Sequence, residues 1–138
     1  MRRIIVVSNL CFVLCLSCKT AKMNGDLCQK VHSGHFIRTL YNTTGYGHWT
    51  HTVVSIDRTN TDQIESTEFP IKAERKYKIE WLSDCVYNLK IYDLKVWADT
   101  VIAKMYPKGQ RIIITNVTSE YIIEKRVKDI SDTLWIRK

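Results

Sequence analysis

The stretch KIEWLSDCVYNLK, residues 78–90, sets one cysteine, Cys85, in the middle of a regular alternating pattern. Such a thiol can be a nucleophile with Ser83 and Asp84 beside it, a metal ligand, or half of a disulfide. A nucleophilic cysteine needs a neighbouring base or cation to favour the thiolate, and Asp84 acts in the opposite sense by like-charge repulsion. Metal ligation draws attention to the histidines, all four of which fall in one window: Cys28-x3-His32-x2-His35, then His48-x2-His51. Two His-x2-His pairs could supply a tetrahedral zinc shell. Residues three apart on an extended strand point to opposite faces, however, and the spacing matches none of the usual zinc patterns. No metal or other cofactor is therefore expected; the alternative is a zinc-binding or hydrolytic protein using His32, His35, His48 and His51. A glycine-rich phosphate loop, a Gly-x-Ser-x-Gly elbow and a close carboxylate pair in an apolar setting are all absent. Asp57 and Glu65 are the nearest acid/base candidates, and charges at a sheet edge are their ordinary explanation. The reading is of a protein that is not an enzyme.

What the cysteines do depends on compartment. The chain opens MRRIIVVSNLCFVLCLSCKTAK: Arg2 and Arg3 precede an uncharged apolar run from Ile4 to Ser17, as in an export signal and short for a membrane span. Residues 1–17 read as a signal peptide. Cys18 follows a small residue, Ser17, as the bacterial lipobox requires, although Cys15 stands where Leu is usual and Leu16 where a smaller residue is commoner. Lipidation at Cys18 is the expectation, with an ordinary cleaved signal and a secreted soluble protein as the alternative. Residues 18–27 then form the lipidated N-terminus and a polar tether, and 28–138 a single domain.

Loss of the leader leaves Cys28 and Cys85 as an even pair in an oxidising compartment, where such pairs close into disulfides; two free buried thiols are the alternative. Closing a loop of that length stabilises by about 3–4 kcal/mol in the chain-entropy account. The formal charge of +7 at pH 7 falls to about +5 without Arg2 and Arg3. Its basic residues are interspersed with Asp and Glu, which describes a solvated mixed surface and not a nucleic-acid footprint.

The elements that position these residues are strands. Apolar residues alternate in short clusters rich in β-branched and aromatic types, with no sustained helical period. Candidate strands are 35–41, 50–57, 63–67, 76–82, 85–92, 100–106, 111–117, 121–127 and 133–137, with a short helix as an option at 93–99. Turn signals separate them at 42–47, 58–62, 106–110, 118–120 and 128–132. The fold class is all-β: an antiparallel meander of about eight strands forming a small lipocalin-like barrel or a strongly curved sheet. Around Cys85, a three-residue loop 82–84 pairs Trp81 with Cys85, Ile79 with Tyr87 and Tyr77 with Leu89, so that apolar faces coincide; one long bent strand keeps the same phase. The aromatics Phe36, Trp49, Trp81, Tyr87, Trp97 and Trp135 suit a sheet core, and in a small barrel Phe36, Trp81 and Tyr87 could also contact a ligand. Asn42-Thr43-Thr44 and Asn116-Val117-Thr118 fit the glycosylation sequon, which matters only in a eukaryotic secretory route.

Cys28, Gly34-His35-Phe36, Asp57-Arg58-Thr59, Gln63-Ile64-Glu65 and the block WLSDCVYNL resemble a family of short Bacteroidetes-type secreted or lipid-anchored proteins with a C…GxF…RTxxxQxE…IxWxSDCxYxL series. The resemblance covers about half the chain, 28–92. Members carry the label "DNA topoisomerase IV", yet an exported domain of this size lacks room for a cleavage domain and its metal site. What the resemblance implies is location, paired cysteines and β character. The layout is also similar to lipocalin-like barrels, with Gly34-His35-Phe36 where those have Gly-x-Trp. Together these readings predict a monomeric, non-catalytic binding or structural module of the bacterial cell envelope, anchored to a membrane by lipid, with a small apolar ligand or an envelope protein as partner. An interaction or inhibitor domain using loops 42–49 and 106–110 fits as well.

Overall fold

Eight antiparallel strands in simple sequential order close into a barrel. The computed structural model describes residues 24–43, 49–68, 72–126 and 130–138. A short helix, α1 (Gly25–Gln29), precedes β1 (Gly34–Thr43), β2 (Trp49–Arg58), β3 (Asp62–Thr67), β4 (Ala73–Ser83) and β5 (Val86–Ile91). Helix α2 (Trp97–Met105) then leads to β6 (Gln110–Val117), β7 (Tyr121–Lys125) and β8 (Ser131–Ile136). Closure rests on β1 and β8, where Phe36 faces Ile136 and Ile37 faces Trp135. The leader, Cys18 and His48 lie outside the described residues.

Strict alternation builds the interior, because successive side chains on a strand point to opposite faces. Phe36, Val54, Ile56, Tyr77, Ile79, Tyr87, Leu89, Ile91, Ile112, Ile114, Ile122 and Leu134 are buried together. Register brings them into contact: Phe36 lies opposite Ile56, Tyr77 opposite Ile91 and Ile122 opposite Leu134.

Two sequence expectations are corrected. Residues 100–106 belong not to a strand but largely to α2, whose inward face presents Ile102 and Ala103 to the core. Asp99 organises its first turn, accepting from the Val96 amide at 3.3 Å and from Arg75 Nε at 2.7 Å. The hairpin at Cys85 has the expected phase but another register: Trp81 pairs with Tyr87, Ile79 with Leu89 and Tyr77 with Ile91. Ser83 pairs with Val86, so the turn is Asp84-Cys85, and an irregularity between Trp81 and Ser83 absorbs Leu82. One extra residue on one strand restores the coincidence of apolar faces that a plain two-residue turn would break.

One end of the barrel is plugged. Cys28 and Val31 of the α1 segment are buried in the core, and Cys28 forms a disulfide with Cys85, their Cα atoms 5.1 Å apart. Gln29 Nε2 donates to Asp84 Oδ1 at 2.9 Å, and His32 stacks on Trp81 with ring centroids 3.4 Å apart. A side chain at Gly25 would place its first carbon 2.5 Å from Asp84 Oδ2, so any larger residue there would push that carboxylate aside.

Candidate binding site

Four strands put charged residues on the inward phase, among the apolar ones: Arg38 on β1, Arg58 on β2, Glu65 on β3 and Glu124 on β7. Burying unpaired charge is prohibitive, so these groups must satisfy one another. At the plugged end Arg58, only 3% exposed, donates through Nη2 to Tyr87 Oη and Glu124 Oε1, both at 2.9 Å, and through Nε to Gln63 Oε1 at 2.8 Å. Its guanidinium lies 5.0 Å from the Phe36 ring centroid and 5.1 Å from that of Tyr87, within cation–π range. Tyr87 Oη donates to Glu124 Oε1 at 2.8 Å. Burial alone would lower the Arg58 pKa, but Glu124, Tyr87 and Glu65 outweigh it and hold the cation above its ordinary value.

The chain of contacts continues toward the other end. Gln63 Nε2 donates to Glu65 Oε1 at 2.9 Å, and Arg38 donates to Glu65 Oε2 at 3.0 Å and to Asp132 Oδ2 at 3.4 Å. Arg126 approaches the same Asp132 oxygen at 2.8 Å through Nε and donates through Nη1 to Gln110 Oε1 at 3.2 Å. The Arg126 Nε–H is misdirected for a hydrogen bond despite that close charge contact. The buried Nε of Arg38 likewise has no acceptor among the described residues.

This second end is a mouth. Between the strands and α2 lies a cavity of about 270 Å³ whose cationic part is Arg38, Arg75 and Arg126, with Glu65 among them. Tyr77, Leu89, Ile91, Ile102 and Tyr106 make its apolar wall. An annex of about 50 Å³ shares Arg38, Glu65 and Arg75. Larger concavities lie outside the barrel, one of about 500 Å³ beside Cys85 and one of about 340 Å³ along Ser55 and Ser66, but neither gathers converging charges. Gly109, with φ of +86°, turns the chain from α2 into β6 against the Leu89 backbone and so fixes the far end of α2, which covers the mouth like a lid. Arg75 has its pKa raised by the Asp99 carboxylate it donates to. Arg126 is also raised: burial opposes the charge, and Glu65, Asp132 and Glu124 prevail.

The residues singled out in the sequence are distributed as follows. Phe36 and Tyr87 are inside the barrel, flanking Arg58 near the plug, and Trp81 is at the rim of that end, where Nε1 donates to Asn60 O at 2.9 Å; none of the three lines the mouth cavity. Trp97 and Trp135 are exposed and not core, Trp135 meeting Tyr121 edge-on outside the sheet. Glu65 is no edge charge but a buried partner of Arg38, whereas Asp57 is exposed and pairs with His35. His35 and His51 stand six rungs apart on the β1–β2 ladder, about 20 Å at strand rise, and cannot share an ion. His32 is bound to the Asp84 carbonyl at 2.7 Å. Among the described residues no group of three His, Cys, Asp or Glu side chains could hold a metal.

The fold and site thus define a small closed β-barrel, plugged and cross-linked at one end, with a charged interior opening on a lidded mouth. No family model, curated protein or solved structure matches the chain.

Two buried phenols make stability sensitive to alkali. Burial raises the pKa of Tyr87 well above the ordinary tyrosine value, with Glu124 adding to it against the opposing pull of Arg58; burial, then Glu65, raises Tyr77. In the unfolded chain both titrate near about pH 10. Their contribution is therefore complete below that pH and is lost as pH climbs toward the folded values, by up to about 1.4 kcal/mol per pH unit for each. Urea midpoints should be flat in pH below this range and fall above it, with Tyr77→Phe and Tyr87→Phe each removing part of the slope. An alkaline slope identical in both variants would contradict the assignment.

Proposed function

We propose that this chain is a non-catalytic, lipid-anchored protein of the bacterial cell envelope whose barrel mouth binds a compact, mostly apolar small molecule bearing an acidic group. The observation that carries the reading is the mouth cavity itself: an apolar wall on one side, and Arg38, Arg75 and Arg126 converging with a single lining carboxylate on the other. Concave apolar sites with a few convergent polar groups are where small ligands bind. A guanidinium in such a setting favours a carboxylate through charge-assisted hydrogen bonds. One buried donor there, Arg38 Nε, has no acceptor among the described residues. A disulfide between Cys28 and Cys85 supports an oxidising compartment, and the export-type leader, the Ser17-Cys18 step and the Bacteroidetes-type resemblance point to the envelope. Among the described residues no helix is long and apolar enough to cross a membrane.

The protein isolated from its host membrane tests both halves. Its mass is expected to show residues 1–17 gone and an acyl group on Cys18. Calorimetric titration with phenylacetate, a small ring carrying one carboxylate, is expected to give saturable binding. Arg126→Gln removes a charged partner and Ile102→Trp fills the cavity from α2. The first should weaken binding about tenfold or more, the worth of one charge-assisted hydrogen bond, and the second should weaken it by occupying the ligand's space. Absence of saturable binding to any small organic acid, or affinity indifferent to both substitutions, would reject the site, and an unmodified Cys18 would reject the anchor.

A further inference from the structure

Helix α2 carries its apolar residues on two faces. Asp99, Ile102, Ala103 and Tyr106 share the side turned to the barrel, where Asp99 is buried, Ile102 and Ala103 meet the core, and Ile102 and Tyr106 line the cavity. The opposite side, which a solvated helix would fill with polar groups, presents Trp97, Val101, Lys104 and Met105. Trp97 is 81% exposed and Met105 63%, and the segment entering the helix adds exposed Leu94 and Val96. Single apolar residues on a surface mean little, but a contiguous set around one helix marks a contact.

Charge says what kind. Between residues 93 and 110 the lysines are Lys95, Lys104 and Lys108; Lys95 is paired with Asp93 at 3.2 Å and Glu74 at 3.5 Å, and Asp99 is turned inward and held by Arg75. Lys104 and Lys108 are exposed and make no ion pair among the described residues. Lysine is depleted at the centres of protein–protein interfaces. A tryptophan beside apolar residues and free lysines is instead the composition of a helix lying at a lipid–water interface, where the ring sits at headgroup level and each lysine is drawn to anionic lipid.

We propose that this outer face, formed by Leu94, Val96, Trp97 and Met105 and flanked by Lys104 and Lys108, docks on an anionic lipid bilayer. Docking seats the barrel mouth at the membrane surface, because the same helix is the wall of the cavity. The contact requires neither the acyl group at Cys18 nor the ligand proposed above. It orients the barrel relative to the membrane, which an acyl anchor alone does not do.

The test uses the chain as isolated, with vesicles whose acyl chains carry bromine and so quench only an inserted indole. The fluorescence present in the native protein and missing in Trp97→Phe is expected to be quenched on phosphatidylglycerol vesicles and largely unquenched on phosphatidylcholine. Lys104→Gln with Lys108→Gln should shift the docked-to-undocked ratio by on the order of 30-fold, about fivefold per lysine. Raising ionic strength to about 1 M, where screening acts within about 3 Å, should do the same. These side chains are exposed, so unfolding midpoints and phenylacetate affinity should stay at native values, keeping this test separate from that of the cavity. Three results overturn the proposal: an unquenched Trp97 on anionic vesicles; equal quenching on both vesicle types; or, without lipid, a species of doubled mass in which Trp97 is shielded from acrylamide, which would assign the face to a second copy.

Discussion

Replacing Arg58 with methionine is expected to destabilise the barrel by about 3–5 kcal/mol, the cost of leaving a buried charge without its partner. The orphan is Glu124, 1% exposed and left with the Tyr87 hydroxyl as a donor. Gln63 Oε1 and the Val31 carbonyl lose a donor at the same time. Glu124→Met should cost a similar amount by stranding the guanidinium between Phe36 and Tyr87. The informative variant is the double one. Two methionines remove both charges and fill comparable volume, so Arg58→Met with Glu124→Met should recover most of the loss of either single change. Urea midpoints at unchanged slope measure all three. Single losses under about 1 kcal/mol, or losses that simply add, would show that the pair does not hold the plugged end together.

That pair also shows where the sequence was legible and where it was not. Alternation was clear wherever both neighbours in phase were apolar, as in Tyr77-x-Ile79-x-Trp81 or Tyr87-x-Leu89-x-Ile91, and there strand type, inward face and antiparallel order follow from a period of two. The buried network leaves only a local signal: Phe36-x-Arg38, Ile56-x-Arg58 and Ile122-x-Glu124 each place a charge in step with the core. A charge at such a position is either a strand end reaching water or one half of a pair. Its partner is distant in sequence, 66 residues from Arg58 to Glu124, so only the closed barrel decides. Disulfide partners were legible because Cys28 and Cys85 are the two cysteines that lie outside the N-terminal stretch holding Cys11, Cys15 and Cys18.

Helix α2 is hidden in the sequence for a different reason. Thr100-Val101-Ile102 has strand composition, and its inward face is short. What makes it helical is tertiary: Asp99 caps the first turn while Arg75, a residue of β4, holds that carboxylate in place. Propensity yields to packing when one face closes a cavity. The register at Cys85 was missed similarly, since an extra residue inside a strand leaves no mark in an alternating pattern beyond a phase that two different turns can both satisfy.

The Cys28–Cys85 bridge is the second large term. Cys28→Ser with Cys85→Ser should lower stability by about 3–4 kcal/mol through the freedom returned to the unfolded chain, whose bridged residues are 57 apart. The loss has a local component as well. Without the bridge α1 is held by Val31 in the core, by Gln29 and His32 bonded to Asp84, and by the His32–Trp81 stack. Amide exchange in the reduced protein should therefore rise first across 25–31 and the turn at Asp84, while β2, β3 and β4 keep their protection. Identical urea midpoints for native and double-serine protein would refute a stabilising bridge; uniform exchange in all strands would refute the local opening. The two lesions meet at one atom, because Arg58 donates to the Val31 carbonyl of the plug at 3.4 Å. Once α1 has swung away, part of what Arg58 stabilised has already gone. Arg58→Met in the double-serine background should thus cost less than in the native one, which distinguishes a plug and cage acting as one unit from two independent staples.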